Sequence, residues 1–310
     1  MDQFLVVVQD RLAVFFLVSG IEVFKIGIHL QPGCFLTGKT CLLLVAPLFA
    51  YLVDAIEHTV TALNYRLVIL QTRGRAELEH FYVELIQKNQ LDGLIITNLE
   101  ATTPLIDQLI LEGKIVLCNR YRGQTRQTVI GIDEEQASYE GTDLLLQHRH
   151  RKIAYCTAKK EIEQDDRFTG FLNAHRVHDC RFDPLHYYTE VRSIADGRRL
   201  IQELDLDCPY RPTAFFTNSD EVAAGMVSEA GRLGIPIPDS LSILGFDDQM
   251  IASLTQPEIT TIRQPIQPMG EQAARQLIGK LEKFEENSDE AAELTTELII
   301  RQTVGYLKGF

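Results

Sequence analysis

The sequence predicts an α/β protein of two lobes, each a doubly wound parallel sheet covered by helices. Three observations carry this. From Cys41 onward, short runs of apolar residues alternate with stretches of helical spacing. Turn signals separate them at the expected places. The 310 residues also exceed what one hydrophobic core ordinarily organises, since single cores stop growing at roughly 250 to 300 residues.

The strand runs are Leu67 to Leu70, Leu94 to Thr97, Ile115 to Cys118, Val129 to Ile132, Ile153 to Cys156, Ala214 to Thr217 and Leu241 to Phe246. Between them lie amphipathic stretches such as Leu52, Ile56, Val60, Leu63 and Leu105, Ile106, Leu109, Ile110. Parallel strands buried on both faces read as unbroken apolar runs, which is the pattern seen. Asp92-Gly93, Glu112-Gly113-Lys114 and Gly234-Ile235-Pro236 each come after a helical stretch and read as helix stops. After Asp248 the order changes to an extended Thr260 to Gln264, a helix from Met269 to Phe284, an acidic loop and a last strand within Leu294 to Val304, an ending suited to a chain crossing back between lobes.

Composition narrows the class. With 45% hydrophobic and 24% charged residues the chain can bury a sizeable core. Its net charge of −13 disfavours these residues as a nucleic-acid-binding body, because phosphate backbones repel an acidic surface. Cys34, Cys41, Cys118, Cys156, Cys180 and Cys208 form no CxxC pair, and we read them as reduced thiols in a cytoplasm. The apolar N-terminal stretch is interrupted by Asp10, Arg11, Glu22 and Lys25. Its longest clean run, Leu12 to Val18, falls short of the about 20 residues a membrane helix needs, so neither a membrane span nor a signal peptide is expected.

Two constellations have a competing chemistry. Gly33-Cys34-Phe35-Leu36-Thr37-Gly38-Lys39-Thr40 fits the phosphate-loop pattern GxxxxGK[ST], in which backbone amides and a lysine cradle phosphates. The residues after it, Cys41 to Val45 and then Pro47, read as a strand and turn and not as the required helix, so a nucleotide hydrolase is the weaker alternative. His148, His150, His175, His178 and His186 contain one pair at metal-ligand spacing, His175 and His178. No further ligand completes a tetrahedron, and solvated histidines are expected, with no metal and no cofactor.

Several segments, in order, resemble the lactose-repressor and galactose-repressor family: Ala46-Pro47-Leu48-Phe49-Ala50-Tyr51-Leu52, Gly131-Ile132-Asp133-Glu134-Glu135-Gln136-Ala137, Arg167-Phe168-Thr169-Gly170-Phe171, Gly245-Phe246-Asp247-Asp248, Thr260-Thr261-Ile262-Arg263-Gln264-Pro265 and Met269-Gly270-Glu271-Gln272-Ala273-Ala274. The resemblance runs from about Cys41 to the C-terminus. It implies a periplasmic-binding-protein-like core of type I, with 41–146 plus 265–292 as one lobe, 147–264 plus 293–310 as the other, and crossovers near Leu146, Pro265 and Glu293. It also implies a regulator that binds a sugar-like effector in the cleft and controls operator DNA allosterically, as a cytoplasmic homodimer and not an enzyme. A solute-binding receptor for transport is the nearer alternative.

Position by position, Asp133, Arg167, Asp247 and Gln264 match family positions lining the effector pocket, and Asp220 matches a neighbouring pattern. A carboxylate accepts two adjacent hydroxyls, a guanidinium donates a rigid fork and an amide does both. Phe49, Phe168 or Phe246 offer an apolar face to a ring. Asp220 after Ser219 fits a helix N-cap equally well, and Ser219 stands where the family usually carries Asn. Leu36-Thr37-Gly38-Lys39-Thr40 is similar to the family's hinge, but Met1 to Gly33 is apolar and shorter than a helix-turn-helix headpiece of about 45 to 60 residues. Residues 1–40 are therefore expected to be a degenerate remnant and linker, left by truncation or a frame shift.

Overall fold

A computed structural model describes residues 13–18, 47–71, 76–99, 103–121, 129–160, 165–283 and 293–307. The phosphate-loop-like segment, Cys41 to Val45, Cys34 and Cys41 lie outside the described residues.

In chain order the elements are β1 (Ala13–Val18), α1 (Pro47–Ala62), β2 (Arg66–Gln71), α2 (Ala76–Gln87), β3 (Gly93–Leu99), α3 (Pro104–Leu111) and β4 (Ile115–Tyr121). They are followed by α4 (Glu134–Gln147), β5 (Ile153–Cys156), α5 (Asp166–Val177), β6 (Tyr187–Tyr188), α6 (Ile194–Gln202), β7 (Ala214–Phe216), α7 (Asp220–Leu233) and β8 (Ser242–Leu244). The chain ends with β9 (Thr261–Arg263), α8 (Ile266–Glu282) and β10 (Glu297–Ile299). It divides into two compact units: Met1–Gly131 with Ile266–Leu294, and Ile132–Pro265 with Thr295–Phe310.

In the first unit a parallel sheet runs in the order β2-β1-β3-β4. Successive residues of a strand face opposite sides, and the burial follows that period. Ile95, Val116 and Cys118 join α1 and α8 in one cluster with Leu52, Ile56, Met269 and Leu277. Leu94, Ile96, Ile115 and Leu117 meet α2 and α3 through Val83, Ile86, Ile106 and Ile110. The second unit repeats the scheme with a parallel sheet β6-β5-β7-β8. Here Phe215 and Ile243 face α6 and α7, whereas Tyr155, Phe216 and Leu244 face α4 and α5. Bridges at Leu244–Thr260 and Asp247–Arg263 attach β9 beside β8, and β10 pairs antiparallel with β9.

Three sequence expectations require correction. Residues 1–40 do not read only as a remnant linker, because Ala13–Val18 forms the strand between β2 and β3. A six-residue apolar run is what a central parallel strand demands, and that signal outranked its poor fit to the family pattern. The first crossover falls between Gly131 and Ile132, not near Leu146, because α4 packs on α5 and buries Ala137, Leu145 and Leu146 with Phe168 and Phe171. The expectation of solvated histidines fails for His150, His175 and His186, all of them buried.

The α4–α5 packing is close enough to need a glycine. A Cβ at Gly170 would stand 2.0 Å from the Glu135 carbonyl oxygen, so only glycine lets the two helices approach as they do. That approach brings the first turns of both helices, with Glu134 and Arg167, into contact.

His150 is built into the core of the second unit. Its Nε2 donates to the Gly305 carbonyl at 3.0 Å, and the Thr213 hydroxyl lies 3.0 Å from Nδ1, so the neutral ring is satisfied at both nitrogens. Burial pushes its pKa down to about 4. The unfolded chain, with histidine near the usual 6.5, binds the proton first as pH falls. The stabilisation is therefore complete above pH 6.5 and is lost between pH 6.5 and 4, by an amount on the order of 3 kcal/mol. Urea denaturation across this window should show the decline, and His150→Gln should flatten it. An unchanged slope in the variant would dismiss His150 as its source.

Candidate functional site

The carboxyl ends of β5, β7 and β8 in the second unit carry a polar cluster, the position where open α/β sheets present ligand-binding groups. Its foundation is Asp220. Ser219, not Asp220, is the N-cap of α7: its backbone is extended and its Oγ accepts from the Val222 amide at 3.4 Å. Asp220 is the first helical residue and is fully buried. Its Oδ1 accepts from the Thr261 hydroxyl at 2.6 Å and its Oδ2 from the Gln249 amide at 2.7 Å. Burial, then the charge of Asp247, push this carboxyl well above the usual carboxylate range. The cap alternative yields to this arrangement, in which each carboxylate oxygen of Asp220 accepts from the protein and ties α7 to β9 and the loop after β8.

The Gly245-Phe246-Asp247-Asp248 turn wraps this strut. A Cβ at Gly245 would lie 2.1 Å from Asp220 Oδ1, so no larger residue fits there without moving the carboxylate. Asp247 (φ 106°) and Asp248 (φ 52°) both occupy positive-φ backbone that side-chain-bearing residues seldom adopt. Each is held. Asp247 Oδ1 accepts from Gln264 Nε2 at 2.6 Å and Oδ2 from Gln249 Nε2 at 3.1 Å. Asp248 takes Arg263 Nε at 2.7 Å on one oxygen and Arg301 at 2.6 Å on the other. Arg263 also reaches Glu297, so the clamp spans the β9–β10 pair.

Arg167 stands on the first turn of α5, a helix capped by Asp165, whose Oδ1 accepts from the Phe168 amide. Its Nε and Nη2 donate to Glu134 Oε1 at 3.0 and 2.9 Å, and its Nη1 donates to the Asn218 carbonyl at 3.2 Å. The guanidinium carbon lies 3.6 Å from the centre of the Phe246 ring, a cation–π stack that fixes its plane. Asp133, which precedes Glu134, is exposed and caps α4 by accepting from the Gln136 amide at 2.8 Å.

Arg167, Asp220, Asp247 and Gln264 thus meet on one edge of one sheet. Phe168 does not join them. It turns into the core against Tyr155, Phe171, Phe182 and Tyr187, and Phe246 is the aromatic face beside Arg167. Phe49, on α1, is buried in the first unit in the cluster that α1 forms with α8 and the sheet. Glu134, Asn218, Gln249 and Thr261 are participants that sequence reasoning did not single out, although Glu134 and Thr261 lie inside motifs it quoted. Three amide oxygens of this cluster, Asn218 Oδ1, Gln249 Oε1 and Gln264 Oε1, are buried without a hydrogen-bond partner. Among the described residues no group of three histidines, cysteines or carboxylates could hold a metal, and no helix is long and apolar enough to cross a membrane.

Two α/β units, each built on a parallel sheet, with a polar cluster at the strand ends of one, have the architecture of the periplasmic-binding-protein-like class. Residues 142–304 match the periplasmic binding protein-like domain. The chain is 33% identical over 258 residues to the NTD biosynthesis operon regulator NtdR of Bacillus subtilis, covering 83% of this chain and 78% of that protein. It is 28% identical to the HTH-type transcriptional repressor CytR of Escherichia coli, covering 82% and 75%. In fold it is similar to a LacI-family transcriptional regulator from Lactobacillus casei with bound sucrose, with a TM-score of 0.76 at 24% identity over 94% of this chain and all of that one. The chain belongs to the lactose-repressor (LacI) family of transcription regulators.

Asp220→Ala leaves the Thr261 hydroxyl and the Gln249 amide unpaired in the core and should destabilise the protein by about 2 to 4 kcal/mol. Asp133→Ala removes only a cap and should cost about 1 kcal/mol. Equal losses for the two in chemical denaturation would contradict the division between strut and cap.

Proposed function

We propose that this regulator senses a small sugar-like effector through Arg167, Asp247 and Gln264, with Phe246 and Asp133 beside them, and converts its binding into a change in operator affinity. The observation that carries the reading is the convergence of groups from α5, the β8 loop and β9 at one strand edge, where buried amide oxygens still lack donors. Such groups suit a polyol: Asp247 accepts vicinal hydroxyls, the amides orient them, and the Arg167 N–H groups not already engaged donate to ring or hydroxyl oxygens. The Lactobacillus casei regulator carries sucrose or glucose in its crystals, which supports a sugar as the ligand class.

In this reading the chain is a cytoplasmic homodimer that performs no catalysis. Ligand and DNA are coupled by a free energy of the ordinary allosteric size, about 1 to 3 kcal/mol. Operator contact belongs to a headpiece joined to this core, because a core of net charge −13 would be repelled by phosphate.

A thermal-shift screen against sugars identifies ligands, and the variants test the site. A ligand at about a hundred times its Kd stabilises by about 2.7 kcal/mol. Arg167→Ala and Asp247→Ala should each remove most of that increment, whatever they do to the unliganded melting temperature. If both variants keep the full response, the effector binds elsewhere.

A further inference from the structure

The amide side chains around Asp247 can each present only one end to a ligand. Gln264 Nε2 and Gln249 Nε2 face the two oxygens of the Asp247 carboxylate, at 2.6 and 3.1 Å. An ionised carboxylate accepts and does not donate, so turning either amide over would set oxygen against oxygen. Asn218 is fixed in the same way, with its Nδ2 donating to the Val191 carbonyl at 3.1 Å. This leaves Gln249 Oε1, Gln264 Oε1 and Asn218 Oδ1, three acceptors buried without partners on two glutamines 7% and 4% exposed and one half-buried asparagine. A buried acceptor left unpaired is unfavourable, so three of them at neighbouring strand ends favour a ligand that brings donors.

The charge at this edge has the same bias. Arg167 is compensated by Glu134, on which two of its nitrogens converge. Asp220 and Glu221 both have their carboxyls pushed up, by burial first and by the Asp247 charge second, so a carboxylate placed near Asp247 meets a repulsive field. A phosphate or carboxylate on a ligand brings acceptors to acceptors and negative charge to negative charge.

We propose that the effector site selects molecules that present hydrogen-bond donors and carry no negative charge: hydroxyl-rich sugars, neutral or amino-substituted, are bound, and their phosphorylated or carboxylated counterparts are rejected. The inference rests on the assignment of Asp247, Gln264 and Arg167 to the effector site, and it goes further in naming the polarity that Asp247 imposes on its two amides.

The test is a matched panel on the full chain, read by thermal shift and calorimetry: glucose, glucosamine, glucose 6-phosphate and glucuronate, the corresponding galactose series, and sucrose with sucrose 6-phosphate. In any series that binds, the neutral or amino member should bind about a hundredfold or more tighter than the anionic members. An anionic member binding within tenfold of its parent, or binding alone, overturns the selectivity while leaving the site assignment intact. No response from any member counts against the sugar-sensing reading itself, and the selectivity falls with it. Asp247→Asn removes the negative charge and sets an N–H against one of the two glutamines, so that this amide turns over and presents its Nε2 donor to the ligand, while the glutamine facing the remaining oxygen keeps its orientation. The preference for neutral over anionic ligands should shrink at least about tenfold in that variant. An undiminished preference would show that Asp247 does not set the polarity. The wild-type panel decides the main claim even if the variant fails to fold.

Discussion

The second unit is organised around a carboxylate that has been taken out of water. Asp220 at the start of α7 is fully buried, and its oxygens accept from a β9 hydroxyl and from the backbone of the loop after β8. A buried carboxyl is tolerated only when its hydrogen bonds are complete, so the elements that supply them must stay where they are. Gly245 follows from this constraint, since any Cβ there would strike Asp220 Oδ1. So does the turn beyond it, where Asp247 and Asp248 hold a backbone conformation costing on the order of 1 to 3 kcal/mol per residue. The two arginines on Asp248 and the two amides on Asp247 offset that cost, and they are the same contacts that orient the candidate ligand groups.

A second constraint meets it from the other helices. The approach of α5 to α4 at Gly170 lets Arg167 reach Glu134, and the Phe246 ring under its guanidinium closes the arrangement. The aromatic cluster of Tyr155, Phe168, Phe171, Phe182 and Tyr187 lies directly behind. Adjacent residues of one helical turn therefore do opposite work: Phe168 anchors α5 in the core and Arg167 faces the polar edge. Rigid anchoring matters for a sensor, because a ligand can shift an equilibrium only by its differential contacts, and loose groups dilute that difference.

In the function we propose, sensing and DNA contact are separated by charge. An acidic core cannot supply the phosphate neutralisation on which operator binding depends, so in the function we propose it acts by changing how a basic headpiece is held. The acceptor-rich polarity around Asp247 belongs to the same proposal, in which a site that orients donors reports a hydroxylated metabolite and rejects anionic ones.

Much of this was legible in the residues. The alternating apolar runs determined two parallel α/β sheets, the ordered motifs pointed to the family, and Arg167, Asp247 and Gln264 stand inside those motifs. Local pattern could not reveal that Ala13–Val18 enters the sheet between β2 and β3, because a strand's partners lie far away in sequence. Nor could it separate Phe168 from Phe246, or Asp220 as strut from Asp220 as cap, because which way a side chain turns is decided by what packs against it. Periodicity and composition are properties of neighbours along the chain, and those the sequence determined by itself. Burial, amide orientation and the pairing of Asp247 with Gln249 and Gln264 arise only when distant segments meet, and those the tertiary structure alone decided.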